Sequence, residues 1–262
     1  MAFAYFDDIL LHYLDEGDPN GAPVFFAHAL GTDLRLWDAV IPAMPSGLRL
    51  IRADMRGHGR SGVPTPPYSM GALIRDAERL LDHLKVRDAV FVGLSIGGMI
   101  AQGLAVKRLD QVRALVLSNT AARIGTEAIW HDRIAQVRKG GMADVAPATL
   151  ERWFGRKFRD TPEFALWRDR LLATPPEGWI GCAEAIAGTD FYTTTATLRL
   201  PTLAIAGSED GSTPADLVRE TAELVAGSRF ALIRGAGHLP PVDQPARYAE
   251  ELAGFLRAIG HI

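Results

Sequence analysis

Residues 90–99, Val-Phe-Val-Gly-Leu-Ser-Ile-Gly-Gly-Met, constrain this chain more than any other stretch. Residues 89–94 are a short apolar run, the signature of a strand buried on both faces. Residues 99–108 read as helix, with Ile100, Leu104 and Ala105 at helical spacing. Between them lies Gly93-x-Ser95-x-Gly97, so the backbone must turn from strand to helix within about one residue. Small neighbours let the backbones pass, and the hydroxyl of Ser95 is left at the tip, beside the positive end of the helix. A hydroxyl held there is placed to attack a carbonyl.

The rest of the chain supplies a matching frame. Residues 3–6 and 9–14 flank Asp7-Asp8 and read as a β-hairpin. Apolar runs at 23–27, 48–53, 114–118, 201–206 and 229–233 read as further strands. Helical patterns at 70–84, 214–225 and 245–258 alternate with them. That alternation implies a mostly parallel central sheet flanked by helices. From 121 to 196 the rhythm breaks. Four helical patterns replace it, at 126–139, 147–158, 162–173 and 177–187, and four of the five tryptophans lie there. The spacing predicts an α/β core over residues 1–122 and 197–262 with an inserted helical cap at 123–196.

Composition narrows the function. A length of 262 residues and 48% hydrophobic residues suit one large domain with a real core. A net charge of -3 argues against nucleic acid and acidic membranes as partners. The single cysteine, Cys182, fits a reducing compartment, and the N-terminus lacks a basic signal-peptide region, so a cytoplasmic protein is expected. Gly57-x-Gly59-x-x-Gly62 matches a dinucleotide fingerprint, but Val63-Pro64-Thr65-Pro66-Pro67 follows where a helix should open. The glycines therefore serve a tight loop. No histidine pair has metal-ligand spacing and there is no cysteine cluster, so neither metal nor other cofactor is expected.

A serine hydroxyl needs a base, and a histidine base needs a carboxylate to fix its tautomer. In an open α/β sheet the usable positions lie beyond the carboxyl ends of the strands. Three loops offer them in the order Ser95, Asp210, His238. Glu209 competes with Asp210, which is favoured four residues past its strand in a glycine-flanked turn. The oxyanion needs two backbone donors: the N–H of Ile96, and one from His28-Ala29-Leu30-Gly31, where Leu30 is preferred over Ala29. His28 is expected to order that loop and His58 to brace its own turn. His12, His83 and His131 read as surface residues.

Residues 93–103, Gly-Leu-Ser-Ile-Gly-Gly-Met-Ile-Ala-Gln-Gly, and 54–61, Asp-Met-Arg-Gly-His-Gly-Arg-Ser, resemble the α/β-hydrolases broadly. Residues 117–126, 150–154 (Leu-Glu-Arg-Trp-Phe), 206–214 and 235–240 are similar to 3-oxoadipate enol-lactonases of the β-ketoadipate pathway of aromatic breakdown. The resemblance runs over nearly the whole chain. It implies a serine hydrolase that opens a small lactone bearing a free carboxylate, by way of an acyl-enzyme. That carboxylate calls for a local cation or donor. Arg123 and Arg133 are the candidates, and Trp130 could supply an indole N–H or a ring wall. Another carboxylesterase, lactonase or C–C hydrolase would share the triad, and a ligand receptor could retain it. Dehalogenases and epoxide hydrolases need a carboxylate where Ser95 stands.

Overall fold

The computed structural model describes residues 2–262. An eight-stranded sheet has the order β1-β2-β4-β3-β5-β6-β7-β8. Its strands are β1 (Ala2–Phe6), β2 (Ile9–Gly17), β3 (Ala22–Ala27), β4 (Leu48–Ala53), β5 (Ala89–Leu94), β6 (Val112–Ser118), β7 (Thr202–Gly207) and β8 (Arg229–Ile233). The hairpin β1–β2 joins β4 antiparallel, and β4 through β8 run parallel. Every residue of β5 is buried, as its unbroken apolar run requires of a strand covered on both faces.

The core helices are α1 (Met70–His83) and α2 (Ile96–Lys107) in the first half. α1 is capped by Ser69, whose hydroxyl accepts the N–H of Ala72, and it buries Leu73, Ala77, Leu80 and Leu81 as one stripe. Between β6 and β7 come five helices: α3 (Glu127–Gly140), α4 (Met142–Trp153), α5 (Pro162–Leu172), α6 (Pro176–Ala187) and α7 (Tyr192–Ala196). The core closes with α8 (Ala215–Glu223), α9 (Pro240–Asp243) and α10 (Pro245–Ala258). Among the described helices, none is long and apolar enough to cross a membrane.

One helix departs from the sequence pattern. The expected 147–158 helix is α4, which starts five residues earlier and ends at Trp153. Pro147 reads as a helix start but sits on an exposed turn inside α4, where only its own N–H is missing from the ladder. Residues 34–37 and 41–43, the second run containing Pro42, form short 3-10 turns.

Loop 54–62 is a tight turn without a helix at its end. Gly57 and Gly59 have φ of 77° and 54°, and α1 begins only at Met70. A side chain on Gly57 would strike the backbone of Gly178 in α6, and one on Gly59 the carboxylate of Asp54. The glycines allow these close approaches and make no phosphate cradle.

Candidate active site

The carboxyl ends of β5, β7 and β8 bring the three predicted side chains to one rim of the sheet. Ser95 joins β5 to α2 with φ 59° and ψ -119°, a left-handed conformation that costs a non-glycine residue about 1–3 kcal/mol. The turn is this tight only because its neighbours lack side chains. A Cβ on Gly93 would fall on the carbonyl of Gly97, and one on Gly97 would meet the carbonyls of Ala27 and His28. Thr120 steadies the bend by donating its hydroxyl to the Ser95 carbonyl at 2.6 Å.

Asp210 and His238 are in contact. His238 Nδ1 lies 2.9 Å from Asp210 Oδ2, and both side chains are buried. The rest of the carboxylate is saturated with donors: Ser212 N–H at 2.7 Å and Thr213 N–H at 3.0 Å on Oδ1, Thr213 hydroxyl at 2.7 Å and Asn119 Nδ2 at 2.8 Å on Oδ2. Burial alone would raise this carboxyl's pKa. The His238 imidazole, Asn119 and the Thr213 amide overcome that and hold it below the ordinary carboxylate value. Asp210 thus stays ionised and keeps the imidazole proton on Nδ1, leaving Nε2 free to act as a base.

Glu209 does not compete for this place. It is exposed, and its carboxylate accepts the Arg156 N–H at 2.7 Å, which ties the helical insertion to the core. The His238 loop is tied to the same insertion, because Trp153 C=O accepts the N–H of His238 at 2.7 Å and of Leu239 at 3.2 Å. A side chain on Gly237 would run into that Trp153 carbonyl, which is why the turn before His238 is glycine-rich.

Ser95 and His238 line one small cleft of about 50 Å³, together with Leu30, Trp130, Arg133, Arg152 and Trp153 among others. Ile96 is the first residue of α2, so its N–H is one of those the helix leaves without an internal acceptor. Arg133 is half-buried, 4.9 Å over the ring of Trp130. Burial, and then the neighbouring Arg152, push its pKa down to about 10, and burial lowers that of Arg152 as well. Both remain cations at neutral pH, and among the described residues neither has a carboxylate within ion-pair distance. Arg152 only donates to the Thr149 hydroxyl at 3.3 Å. Two half-buried guanidinium groups without carboxylate partners in one cleft have the chemistry to hold an anion.

Two sequence expectations change here. Arg123 stays outside the cleft: its side chain is exposed, 3.7 Å from Asp190, while the next residue, Ile124, turns inward. Trp130 lines the cleft, but its indole N–H donates to the Ile124 carbonyl at 2.6 Å, so only the ring is available. Arg152 is the residue the sequence reading missed. With α4 running from Met142, Val145, Thr149, Arg152 and Trp153 fall at helical spacing on one face, and all four line the cleft. The expected 147–158 helix already holds Thr149, Arg152 and Trp153 and lacks only Val145; which of its faces meets the cleft is set by tertiary contacts that helical spacing does not show.

His12 also differs from its expected surface place. It is 4% exposed, with Nδ1 2.7 Å from Asp54 Oδ2. His83 and His131 are exposed as expected. Among the described residues no group of three or more His, Cys, Asp or Glu side chains could hold a metal.

A mostly parallel sheet, a serine at a strained strand-to-helix turn, and the histidine of a buried His–Asp pair lining the same cleft define a class. The chain belongs to the α/β hydrolase fold family, whose model matches residues 22–245, and within it to the group containing the 3-oxoadipate enol-lactonases. It is 32% identical to 3-oxoadipate enol-lactonase 2 of Acinetobacter baylyi, over 95% of this chain and 94% of that one. The enol-lactonase structure from Burkholderia xenovorans LB400 superposes with a TM-score of 0.94 at 32% identity, covering 98% of this chain and 100% of that one. A hydrolase from Pseudomonas aeruginosa gives 0.93 at 36% identity, with 97% of each chain covered.

Proposed function

We propose that this chain is a 3-oxoadipate enol-lactonase, opening the lactone to 3-oxoadipate in the cytoplasmic breakdown of aromatic compounds. Ser95 is the nucleophile, His238 the base and Asp210 the group that orients it. Ser95 Oγ attacks the lactone carbonyl as His238 Nε2 takes its proton. The backbone N–H groups of Leu30 and Ile96 receive the oxyanion. Collapse of the tetrahedral intermediate breaks the ring C–O bond and leaves an acyl-enzyme whose enolate remains tethered to it. The enolate takes up the proton that His238 received from Ser95 and becomes a ketone, which returns the imidazole to its neutral form. Because an enolate leaves readily, acid help from His238 matters less here than in amide cleavage. Water, deprotonated by His238, then attacks the acyl carbon and releases the diacid.

The observation that carries this reading is the juxtaposition of the serine and histidine with Arg133 and Arg152 in one cleft. The substrate's free carboxylate would neutralise two cations that the protein leaves without acid partners, while the Trp130 ring walls the lactone. Residues 123–196 serve as a cap that sets this specificity, over a core of residues 1–122 and 197–262. The kinship with enol-lactonases supports the same substrate.

The test is turnover of 3-oxoadipate enol-lactone beside a neutral aryl ester of similar size. We expect kcat/KM for the enol-lactone to exceed that for the neutral ester by at least about 100-fold, the worth of a charge-assisted contact pair. Equal turnover of both would leave an esterase without this specificity.

A further inference from the structure

We propose that His28 and His58 form a reciprocal clasp that presets the oxyanion-binding peptide, and that His58 is a positioning residue for the reaction; this rests on Leu30 N–H being an oxyanion donor. β3 and β4 are parallel neighbours with Ala27 paired to Ala53, so their carboxyl-end loops, 28–33 and 54–62, leave the sheet side by side. Each loop contributes one fully buried imidazole, and the ring centroids lie 5.5 Å apart.

Each imidazole uses one nitrogen at home and the other across the gap. His28 Nδ1 is 2.8 Å from its neighbour Ala29 C=O, and its Nε2 accepts the Met55 N–H of the other loop at 2.9 Å. His58 Nδ1 is 3.2 Å from Arg56 C=O in its own loop, and its Nε2 accepts the Gly31 N–H at 2.9 Å. An amide N–H can only donate and a carbonyl only accept, so both rings are neutral with the proton on Nδ1. Burial drives both pKa values down, His58 to about 3, so the arrangement persists wherever the enzyme would work.

The consequence falls on Leu30, whose N–H shares a planar trans peptide with Ala29 C=O and points opposite to it. That carbonyl is fixed by His28 Nδ1, by the Thr32 hydroxyl at 2.8 Å and by the Thr32 N–H at 3.1 Å. The next peptide, Leu30–Gly31, is fixed by His58 through the Gly31 N–H. Both peptide planes flanking Leu30 are therefore pinned, and neither can flip without stranding a buried histidine nitrogen. Gly31 itself has φ 77°, and a Cβ there would come within 2.8 Å of Leu171, so glycine is required where His58 takes hold. Loop 54–62 also abuts α6, where Cys182 Sγ lies 3.6 Å from Arg56 C=O.

The test compares His58→Leu, which cannot accept a hydrogen bond, with His58→Gln, whose amide oxygen can reach Gly31. On whichever ester or lactone the wild type turns over, we expect His58→Leu to lower kcat about 100-fold, the scale of a lost oxyanion donor, with KM changed less than about threefold. Affinity for an arylboronic acid, which forms a tetrahedral anion on the serine, should fall in parallel, while affinity for the diacid product holds. His58→Gln should restore most of both.

Unchanged kcat and boronate affinity in a folded His58→Leu variant would overturn the clasp, as would a Gln variant no better than Leu. Should neither variant fold, 15N NMR of the wild type decides: His58 must be the neutral Nδ1–H tautomer with Nε2 bonded to Gly31, and the Nε2–H tautomer contradicts the proposal. A wild type that neither hydrolyses esters nor binds boronate would instead sink the reading of the site, and the positioning role of His58 with it.

Discussion

At the scale of single residues, the site works by fixing charge states. Asp210 can orient His238 only while it is an anion, and five contacts keep it one. Asp210→Asn keeps the shape but offers a donor where His238 needs an acceptor, turning the imidazole to the wrong tautomer. We expect kcat to fall about 10³–10⁴-fold with little change in KM, measured by steady-state kinetics on any substrate of the enzyme. The arginines make a different prediction. Arg152→Gln or Arg133→Gln should raise KM for an anionic substrate about 10–100-fold and leave a neutral ester within about threefold, because each loses one charge-assisted contact. Arg123→Ala should change neither. If Arg123→Ala had the larger effect, the anion site would have to be sought outside the cleft.

Secondary-structure elements carry these residues, and two of their junctions are under tension. The Ser95 turn is possible only because β5 and α2 approach through glycines. Gly97→Ala would press a methyl group against the carbonyls of Ala27 and His28, which belong to the sheet and its loop and have no room to yield. We expect a loss of about 2–3 kcal/mol, read as a lower urea midpoint at unchanged slope. The second junction joins α4 to the His238 loop through Asp243, whose Oδ2 accepts the N–H of Gly155 at 2.9 Å and of Gly237 at 2.5 Å. Its Oδ1 is buried without a partner. Burial raises this carboxyl from 3.8 to about 6. The folded state then holds the proton more tightly than the unfolded chain does. The stability it contributes is full below about pH 4 and is lost as the pH rises through 6. Asp243→Asn stays neutral throughout, so the melting temperature of the variant relative to wild type should climb between pH 4 and 7. A constant difference would mean that Asp243 is ionised throughout that range.

For the whole molecule, the sequence was most readable where local pattern and global fold agree. Strand β5 and its turn could be read outright, because an apolar run, a G-x-S-x-G turn and a helical period are each local signals. The parallel sheet followed from alternation, and Asp210 and His238 from their places beyond strand ends. What could not be read was set by contacts distant in sequence. The burial of His12 depends on Asp54, which lies 42 residues on. The removal of Arg123 from the cleft depends on which way the chain turns after β6. Arg152 lies within the expected helix, but which face of α4 meets the cleft depends on loops far away in sequence. The reach of His58 to Gly31 needs the pairing of β3 with β4, which no local period reveals.

The most direct measurement is rapid-quench mass spectrometry of the enzyme mixed with 3-oxoadipate enol-lactone. Opening a ring onto a serine expels no fragment, so the peptide containing Ser95 should gain the mass of the intact lactone, and the adduct should decay at the rate of turnover. Ser95→Ala should show neither adduct nor measurable turnover, a loss of about 10⁶-fold. Sustained turnover by Ser95→Ala, or an adduct on any other residue, would contradict the account.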